Sequence, residues 1–283
     1  MNIDKVGVIG AGTMGNGIAQ ACAVAGIDVV MLDVRDEAVQ RGLAAIAGSL
    51  ERVVKKEKMS AADKDAALAR IQGSTQQGDL ATCDLVIEAA TENLDLKLRL
   101  LKEVETQLKA DAILASNTSS ISITRLAAAV QRSERFVGMH FFNPVPVMAL
   151  VEVIRGLQTS DATHAAVMAL AQRLGKTPIS VKNSPGFAVN RILCPMINEA
   201  IFALAEGLAT AEDIDNGMKL GCNHPIGPLA LADMVGLDVL LAVMEVFYGQ
   251  FNDSKYRPAP LLREMVEAGY LGRKTGQGFY SYG

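Results

Sequence analysis

Two side chains near the middle of the chain have the types and spacing needed for proton transfer. His140 lies at the end of a strand-like run, Arg135 to Phe141, and Glu152 lies in the next apolar run, Ala149 to Ile154. Imidazole is the side chain that titrates near neutral pH unaided, so His140 is suited to exchange a hydroxyl proton. A carboxylate in an apolar strand is costly to bury unless it is paired, and pairing with His140 would also fix the imidazole tautomer. The spacing alone equally allows a hydrogen-bonded core histidine.

A glycine-rich turn near the N-terminus predicts a dinucleotide site. The segment 10–15 reads Gly-Ala-Gly-Thr-Met-Gly, fits G-x-G-x-x-G, and lies between a strand-like run and a helical pattern. Such glycines let the backbone approach a pyrophosphate at the helix N-terminus. The same fingerprint could serve FAD, but no further feature favours a flavin. The cofactor contacts expected in this turn are Gly10, Gly12, Thr13, Met14 and Gly15.

Asp33, at the end of the second strand-like run, predicts the type of dinucleotide. Its carboxylate can accept hydrogen bonds from an adenosine ribose, whereas a 2′-phosphate would meet it as a like charge. We therefore expect NAD rather than NADP, although nearby Arg35 leaves some tolerance for the phosphate.

Composition excludes several other classes of function. A net charge of -4 from 27 basic and 31 acidic residues gives no positive field for nucleic acid. The four cysteines form no C-x-x-C pair, so we expect no structural metal, no disulfide framework and a reducing cytoplasm. The uncharged stretch 6–27 is long enough for a targeting signal, but its glycines and polar residues argue against one. We expect no membrane partner.

The pattern of elements predicts an α/β fold, with a Rossmann-like N-terminal domain followed by an all-α domain. Apolar runs alternate with helical patterns, as in a parallel sheet flanked by helices. Asp36 to about Gly73 is predicted to be a helical excursion, and Ser184-Pro185 is predicted to begin the first helix of the second domain. The predicted domains are 1–186 and 187–283. The predicted strands are Lys5 to Ile9, Asp28 to Asp33, Asp84 to Ala89, Ala112 to Ser116, Arg135 to Phe141, Ala149 to Ile154 and Ile179 to Val181.

Seven motifs in order resemble those of bacterial short-chain L-3-hydroxyacyl-CoA dehydrogenases of the 3-hydroxybutyryl-CoA type, over essentially the whole chain. They are Gly7 to Gly15, Glu88 to Asn93, Ser116 to Ser120, His140 to Pro144, Asn183 to Arg191, His224 to Leu229 and Lys274 to Tyr280. The resemblance implies reversible oxidation of (S)-3-hydroxybutyryl-CoA to acetoacetyl-CoA, with hydride passing to NAD. It also implies a homodimer formed through the second domain, whose second half is rich in closely spaced apolar residues.

The resemblance also implies roles for single residues. His140 and Glu152 form the catalytic pair, and Ser119 and Asn190 contact the reacting end of the substrate, with Asn190 supplied by the second domain. Glu92, Lys97, Asn143 and Lys274 resemble contacts on the nicotinamide or ribose side of the cofactor. Ser49 and Lys56 match positions that touch coenzyme A.

The cationic run from Arg52 to Lys58 has a physical reason to lie beside coenzyme A, which carries a 3′-phosphate and a pyrophosphate. We therefore add Arg52 to the expected coenzyme A contacts. A solvated helix face is the alternative for each cation taken singly.

Two other functions stay open at this point. A related β-hydroxyacid dehydrogenase would act on free acids, but such enzymes resemble one another in using a catalytic lysine rather than a His-Glu pair. A dinucleotide-binding sensor would need no proton-transfer pair at all. Comparing activity on free acids and on coenzyme A esters would identify the free-acid enzyme. Binding of the dinucleotide without turnover would identify the sensor.

Overall fold

The computed structural model describes residues 2–283. The chain forms two compact units, of which the first ends at Asn183 and the second begins at Ser184. The predicted fold class is confirmed, with a mainly parallel sheet flanked by helices in the first unit and helices in the second.

The first unit is built on one eight-stranded sheet with the strand order β3-β2-β1-β4-β5-β6-β7-β8. Strands β1 to β6 pair in parallel, β7 is antiparallel to β6, and β8 is parallel to β7. Central strands such as β4 and β6 are buried throughout, as parallel strands covered on both faces require. The strands are β1 (Lys5–Ile9), β2 (Asp28–Leu32), β3 (Ile71–Ser74), β4 (Leu85–Glu88), β5 (Ile113–Ser116), β6 (Phe136–Phe141), β7 (Leu150–Arg155) and β8 (Thr177–Lys182).

Six helices connect these strands: α1 (Thr13–Val24), α2 (Asp36–Lys55), α3 (Ala61–Ala69), α4 (Leu94–Glu105), α5 (Ile123–Ala127) and α6 (Asp161–Arg173). Side chains of Ser60, Asn93, Ser122 and Ser160 cap the N-termini of α3 to α6 by accepting a backbone N–H. The apolar faces of α1, α2 and α6 pack on the sheet in one continuous core.

The prediction that the chain is helical from Asp36 to about Gly73 is wrong at the end of this segment. Helices α2 and α3 occupy most of residues 36–73, but the excursion ends in strand β3, in which Ile71 pairs with Val29 of β2. Gly73 comes so near to α2 that an added Cβ would lie 2.5 Å from a methyl carbon of Val39. This close packing fixes the returning chain as an edge strand of the sheet.

The second unit consists of helices α7 (Val189–Ala205), α8 (Ala211–Gly221), α9 (Pro228–Val235), α10 (Leu237–Phe251) and α11 (Pro260–Glu267) around a separate apolar core. The expected helix start at Ser184-Pro185 is wrong, because α7 begins at Val189. The preceding residues form a turn in which Phe187 N–H donates to Ser184 O at 3.0 Å, with Gly186 and Phe187 at φ +73° and +51°. Thr210 caps the N-terminus of α8, since its hydroxyl accepts the Asp213 N–H.

Among residues 2–283, no helix combines the length and the apolar character needed to cross a membrane.

Candidate active site

The three glycines of the first turn lie in different surroundings. Gly10 adopts φ +100°, and an added Cβ would lie 2.7 Å from Ala89 O. A Cβ on Gly15 would lie 1.7 Å from Gly10 O, so this glycine allows α1 to pack against the turn. A Cβ on Gly12, the N-cap of α1, would meet no protein atom within 4 Å. The space beside Gly12 is therefore open at the positive end of a helix, which suits an anionic group.

Asp33 follows β2 and is held against this turn. Its Oδ2 accepts the Ala11 N–H at 2.9 Å, and its own N–H donates to Ser74 O at 3.2 Å. A carboxylate can accept several hydrogen bonds, so Asp33 can also accept from a diol beside the glycine turn.

A fully buried ion pair lies where β4 and β5 end. Lys97 of α4 contacts Glu88 Oε2, and the two side chains are 1% and 0% exposed. Glu88 Oε2 also accepts the Ser116 hydroxyl at 2.9 Å, and Glu88 Oε1 accepts the Ala90 N–H at 2.9 Å. Lys97, predicted as a cofactor contact, is therefore largely enclosed by its own protein partners.

Glu92 connects the loop after β4 to the loop after β5. Its Oε1 accepts the Ser119 N–H at 2.8 Å and the Ser119 hydroxyl at 3.3 Å, and its Oε2 accepts the Thr118 hydroxyl at 2.7 Å. The structure thus brings two predicted site residues, Glu92 and Ser119, into direct contact. Ser119 is half-buried, so its hydroxyl is oriented by Glu92.

His140 and Glu152 form the pair expected from the sequence. They are directly opposite in the antiparallel pairing of β6 and β7, and His140 Nδ1 lies 2.7 Å from Glu152 Oε2. His140 is 6% exposed and Glu152 is fully buried. Phe142 packs beside the imidazole, with ring centroids 4.5 Å apart. Because a carboxylate accepts and does not donate, Nδ1 carries a proton towards Glu152, and Nε2 is the nitrogen that can exchange one.

The loop between β6 and β7 lies beside the expected coenzyme A residues. This loop, through Asn143 to Val147, lines a groove of about 520 Å³ together with Thr13 and other residues of α1. The lining of the groove also includes Ser49 and Arg52 of α2 and Lys56, which directly follows α2. Arg52 and Lys56 are exposed. The structure therefore brings the three expected coenzyme A residues to one groove together with the predicted cofactor residues Thr13 and Asn143.

The two site residues predicted in the second unit are positioned within that unit as follows. Asn190 is the second residue of α7 and is half-buried. Lys274 Nζ donates to Asp238 Oδ1 in the first turn of α10. Burial opposes ionisation of Asp238, but the hydrogen bond from Lys274, the backbone hydrogen bonds and the charge of Lys274 together outweigh it, so the pKa of Asp238 is lowered.

Two positioning residues were missed by the sequence interpretation. Glu88 ends an apolar strand, which is the same signal that identified Glu152, so it could have been found. Lys176 Nζ donates to Val145 O at 2.6 Å and Met148 O at 2.9 Å and so tethers the loop after His140. No local pattern marks Lys176, because both partners are backbone carbonyl groups.

Comparison with known proteins gives consistent matches over the whole chain. The family model for the NAD binding domain of 3-hydroxyacyl-CoA dehydrogenase matches residues 5–184, and the model for the C-terminal domain of 3-hydroxyacyl-CoA dehydrogenase matches residues 186–282. The chain is similar to 3-hydroxybutyryl-CoA dehydrogenase of Bradyrhizobium diazoefficiens, with 55% identity over 99% of this chain and 96% of the relative. The enzyme of that name from Clostridioides difficile is 49% identical over 98% of this chain and 99% of its own. A crystal structure of (S)-3-hydroxybutyryl-CoA dehydrogenase from Ralstonia eutropha is 69% identical, covers 100% of both chains and superposes with a TM-score of 0.99.

Proposed function

Because the chain belongs to the 3-hydroxyacyl-CoA dehydrogenase family, we propose that it reversibly oxidises (S)-3-hydroxybutyryl-CoA to acetoacetyl-CoA with NAD. The observation that carries this proposal is the His140–Glu152 pair, which is buried and in hydrogen-bond contact between β6 and β7. A related enzyme acting on free acids would not need the cationic groove to bind its substrate. A dinucleotide-binding sensor would not need the His140–Glu152 pair, because it transfers no proton.

The residues of the first turn fit a dinucleotide. The open space at Gly12 beside the N-terminus of α1 suits the pyrophosphate, and Asp33 suits the adenosine ribose. When bound, the nicotinamide supplies the hydride acceptor for oxidation. We propose NAD rather than NADP because a 2′-phosphate beside Asp33 would bring like charges together. The remaining proposed cofactor contacts are Thr13, Met14, Glu92, Asn143 and Lys274. Lys97 acts at the cofactor site indirectly, through its ion pair with Glu88.

His140 is the proposed general base in oxidation. Its Nε2 accepts the proton of the 3-hydroxyl group, while Glu152, hydrogen-bonded at Nδ1, stabilises the imidazolium that results. In the reverse direction the imidazolium returns this proton to the 3-oxygen of acetoacetyl-CoA. Burial of Glu152 strengthens its interaction with the ring, because the surrounding dielectric is low.

Ser119 and Asn190 are the proposed contacts to the reacting part of the substrate. Glu92 orients the Ser119 hydroxyl, which can hydrogen-bond to the 3-oxygen. The amide of Asn190 can donate to a carbonyl oxygen on which negative charge develops.

The groove at Ser49, Arg52 and Lys56 is the proposed site for the nucleotide part of coenzyme A. Its two cations are exposed, and such flexible charges suit phosphate groups that remain in contact with water.

We further propose a cytoplasmic homodimer. The second unit exposes Leu208, Leu220, Met234 and Val239, with fractional exposures of 78%, 86%, 52% and 46%, which supplies apolar surface for a partner subunit. All four cysteines are free thiols, as a reducing compartment favours. Light scattering at micromolar concentration tests the dimer, and a monomer would overturn it.

Mixing the purified protein with NADH and acetoacetyl-CoA, and following the absorbance of the reduced nicotinamide, tests the proposed activity. We expect rapid decay with acetoacetyl-CoA and little with free acetoacetate at the same concentration. Decay with free acetoacetate alone would favour the free-acid enzyme. Binding of NADH without decay in either case would favour a sensor.

A further inference from the structure

We propose that Glu88 is a positioning residue of this dehydrogenase, whose carboxylate holds together the two loops that present Glu92 and Ser119. The inference rests on the proposed function. It concerns a residue that neither binds the substrate nor exchanges a proton in the reaction as described above. Its basis is the set of hydrogen bonds that Glu88 makes where β4 ends.

The two oxygens of Glu88 contact different segments, the loop after β4 and the last residue of β5. Oε1 accepts the N–H groups of Ala90 and Thr91, at 2.9 and 3.4 Å, which fixes the backbone just before Glu92. Oε2 accepts the Ser116 hydroxyl at 2.9 Å, and Ser116 Oγ in turn accepts the Thr118 N–H at 3.3 Å, just before Ser119. One side chain thus determines how far apart the two loops lie.

The contact between the loops depends on this separation. Glu92 accepts from the Ser119 N–H at 2.8 Å and from the Thr118 hydroxyl at 2.7 Å. Both Glu92 and Ser119 are accessible to solvent, whereas Glu88 and Ser116 are fully buried. The buried pair is therefore rigidly packed and the accessible pair is aligned by it.

Lys97 completes the network as the counter-ion of Glu88. Its side chain is 1% exposed, and its Nζ also donates to Ser116 Oγ at 3.3 Å. A lone buried carboxylate would be strongly destabilising, so Lys97 allows Glu88 to remain in this position. The loop that Glu88 holds also borders the glycine turn, since a Cβ on Gly10 would lie 2.7 Å from Ala89 O. Glu88 therefore supports the loop next to the cofactor turn and the loop of Ser119 together.

The test uses Glu88→Gln/Lys97→Met, which removes both charges and leaves no buried ion unpaired. The matched control is Asp84→Asn/Lys109→Met, which removes the ion pair formed by Asp84, the residue just before β4 begins. Amide hydrogen exchange, without cofactor, is measured in residues 89–93 and 116–121. We expect faster exchange there in the Glu88 variant only.

Kinetics then separate positioning from a merely structural role. A misplacement of about 1 Å can cost about 100-fold in rate, so we expect kcat of the Glu88 variant to fall by about 10- to 100-fold. We also expect a larger isotope effect on kcat with NADH deuterated at the transferred position, because hydride transfer becomes rate-limiting. Loss of folded protein alone would lower the active fraction and leave the isotope effect unchanged. The control should keep the wild-type kcat and isotope effect.

Ser116→Ala removes only the hydroxyl that joins Glu88 to the second loop, and it supplies a second variant should the double substitution fail to fold. We expect a smaller fall in kcat and faster exchange in 116–121 but not in 89–93. Wild-type exchange and kinetics in either folded variant would overturn the inference while leaving the proposed function intact. A wild-type protein that does not reduce acetoacetyl-CoA would overturn the proposed function instead, and the kinetic part of this inference with it.

Discussion

His140 and Glu152 face each other across the one antiparallel strand pair of the described sheet, with His140 Nδ1 2.7 Å from Glu152 Oε2. Directly opposed residues in such a pair hold their side chains on the same face of the sheet at a fixed separation. The reversal of direction at β7 therefore places a carboxylate from one strand against an imidazole from the next, without help from a loop.

Replacing His140 with Asn should abolish most turnover and spare cofactor binding. General acid–base catalysis contributes about 100- to 10,000-fold, so we expect kcat to fall by that range. NADH affinity, measured by fluorescence titration, should match the wild type because His140 lies outside the glycine turn. Near-normal turnover in a folded His140→Asn protein would contradict the assignment.

Two glycine substitutions should separate cofactor binding from stability. A Cβ on Gly12 meets no protein atom within 4 Å, so Gly12→Ala should lower the free energy of unfolding by at most about 1 kcal/mol. The methyl group enters the space proposed for the pyrophosphate, so NADH affinity should fall by about 10-fold or more, equivalent to about 1.4 kcal/mol.

Gly15→Ala is the matched comparison. Its Cβ would lie 1.7 Å from Gly10 O, so the backbone must move, and we expect a loss of about 1 to 3 kcal/mol or more in unfolding free energy. Chemical denaturation and NADH titration of both variants check the pair. Equal loss of stability in the two would contradict the open site at Gly12.

Removing the two groove cations should weaken binding of the nucleotide part of the substrate. Exposed ion pairs are worth up to about 1 kcal/mol each, so Arg52→Gln/Lys56→Gln should raise KM for acetoacetyl-CoA by about 3- to 10-fold. KM for acetoacetyl-N-acetylcysteamine, a thioester without the nucleotide, should not change. Lys55→Gln is the control, since Lys55 is exposed on the same helix but does not line the groove.

Neutralising Asp33 should narrow the preference for NADH over NADPH. Like charges at contact distance near a protein surface repel by about 1 to 4 kcal/mol, so Asp33→Asn should improve the NADPH to NADH ratio of kcat/KM by about 10- to 100-fold. The Asn side chain can still accept the Ala11 N–H that Asp33 accepts at 2.9 Å. Asp36→Asn, an exposed acid in the first turn of α2, should leave the ratio unchanged. An equal shift in both variants would show a general charge effect.

A single thiol of the native chain should react with an aromatic disulfide reagent at pH 8. Burial raises the pKa of Cys22 to about 12, of Cys83 to about 11 and of Cys194 to about 12, so these thiols stay protonated at that pH and unreactive. Cys222 is exposed. Cys222→Ser should abolish the reaction, and four thiols should react in denaturant. A fast reaction that persists in Cys222→Ser would contradict the burial of the other three.

The sheet was predictable where strands are buried and not at the edge formed by β3. Strands such as β1 and β6 appear in the sequence as apolar runs, since both faces are covered. Strand β3 contains one apolar residue, Ile71, in the sequence Ile-Gln-Gly-Ser, and its residues are half-buried or exposed. Its strand conformation depends on pairing with β2, which is distant in sequence, so the local pattern favoured a helix.

The residues of the candidate site also differ in how readily they could be recognised from the sequence. Glu152 was paired with His140 because a carboxylate in an apolar strand needs a partner, and the same reasoning would have identified Glu88, which was missed. Its partner Lys97 was harder to recognise, because a lysine in a charged amphipathic helix usually extends into solvent. Only the packing of α4 against the strand ends shows that this lysine is enclosed.

The order of the strands has an electrostatic consequence. Asp33 follows β2 and His140 lies near the end of β6, and the order β2-β1-β4-β5-β6 puts four strand spacings between them. At about 4.8 Å per spacing these residues lie roughly 19 Å apart, which is about twice the screening length of physiological salt. The charge that we propose to select the nucleotide is therefore screened by salt from the group that we propose to move the proton. If both proposals hold, cofactor preference can be redesigned at Asp33 while the proton transfer at His140 is left unchanged.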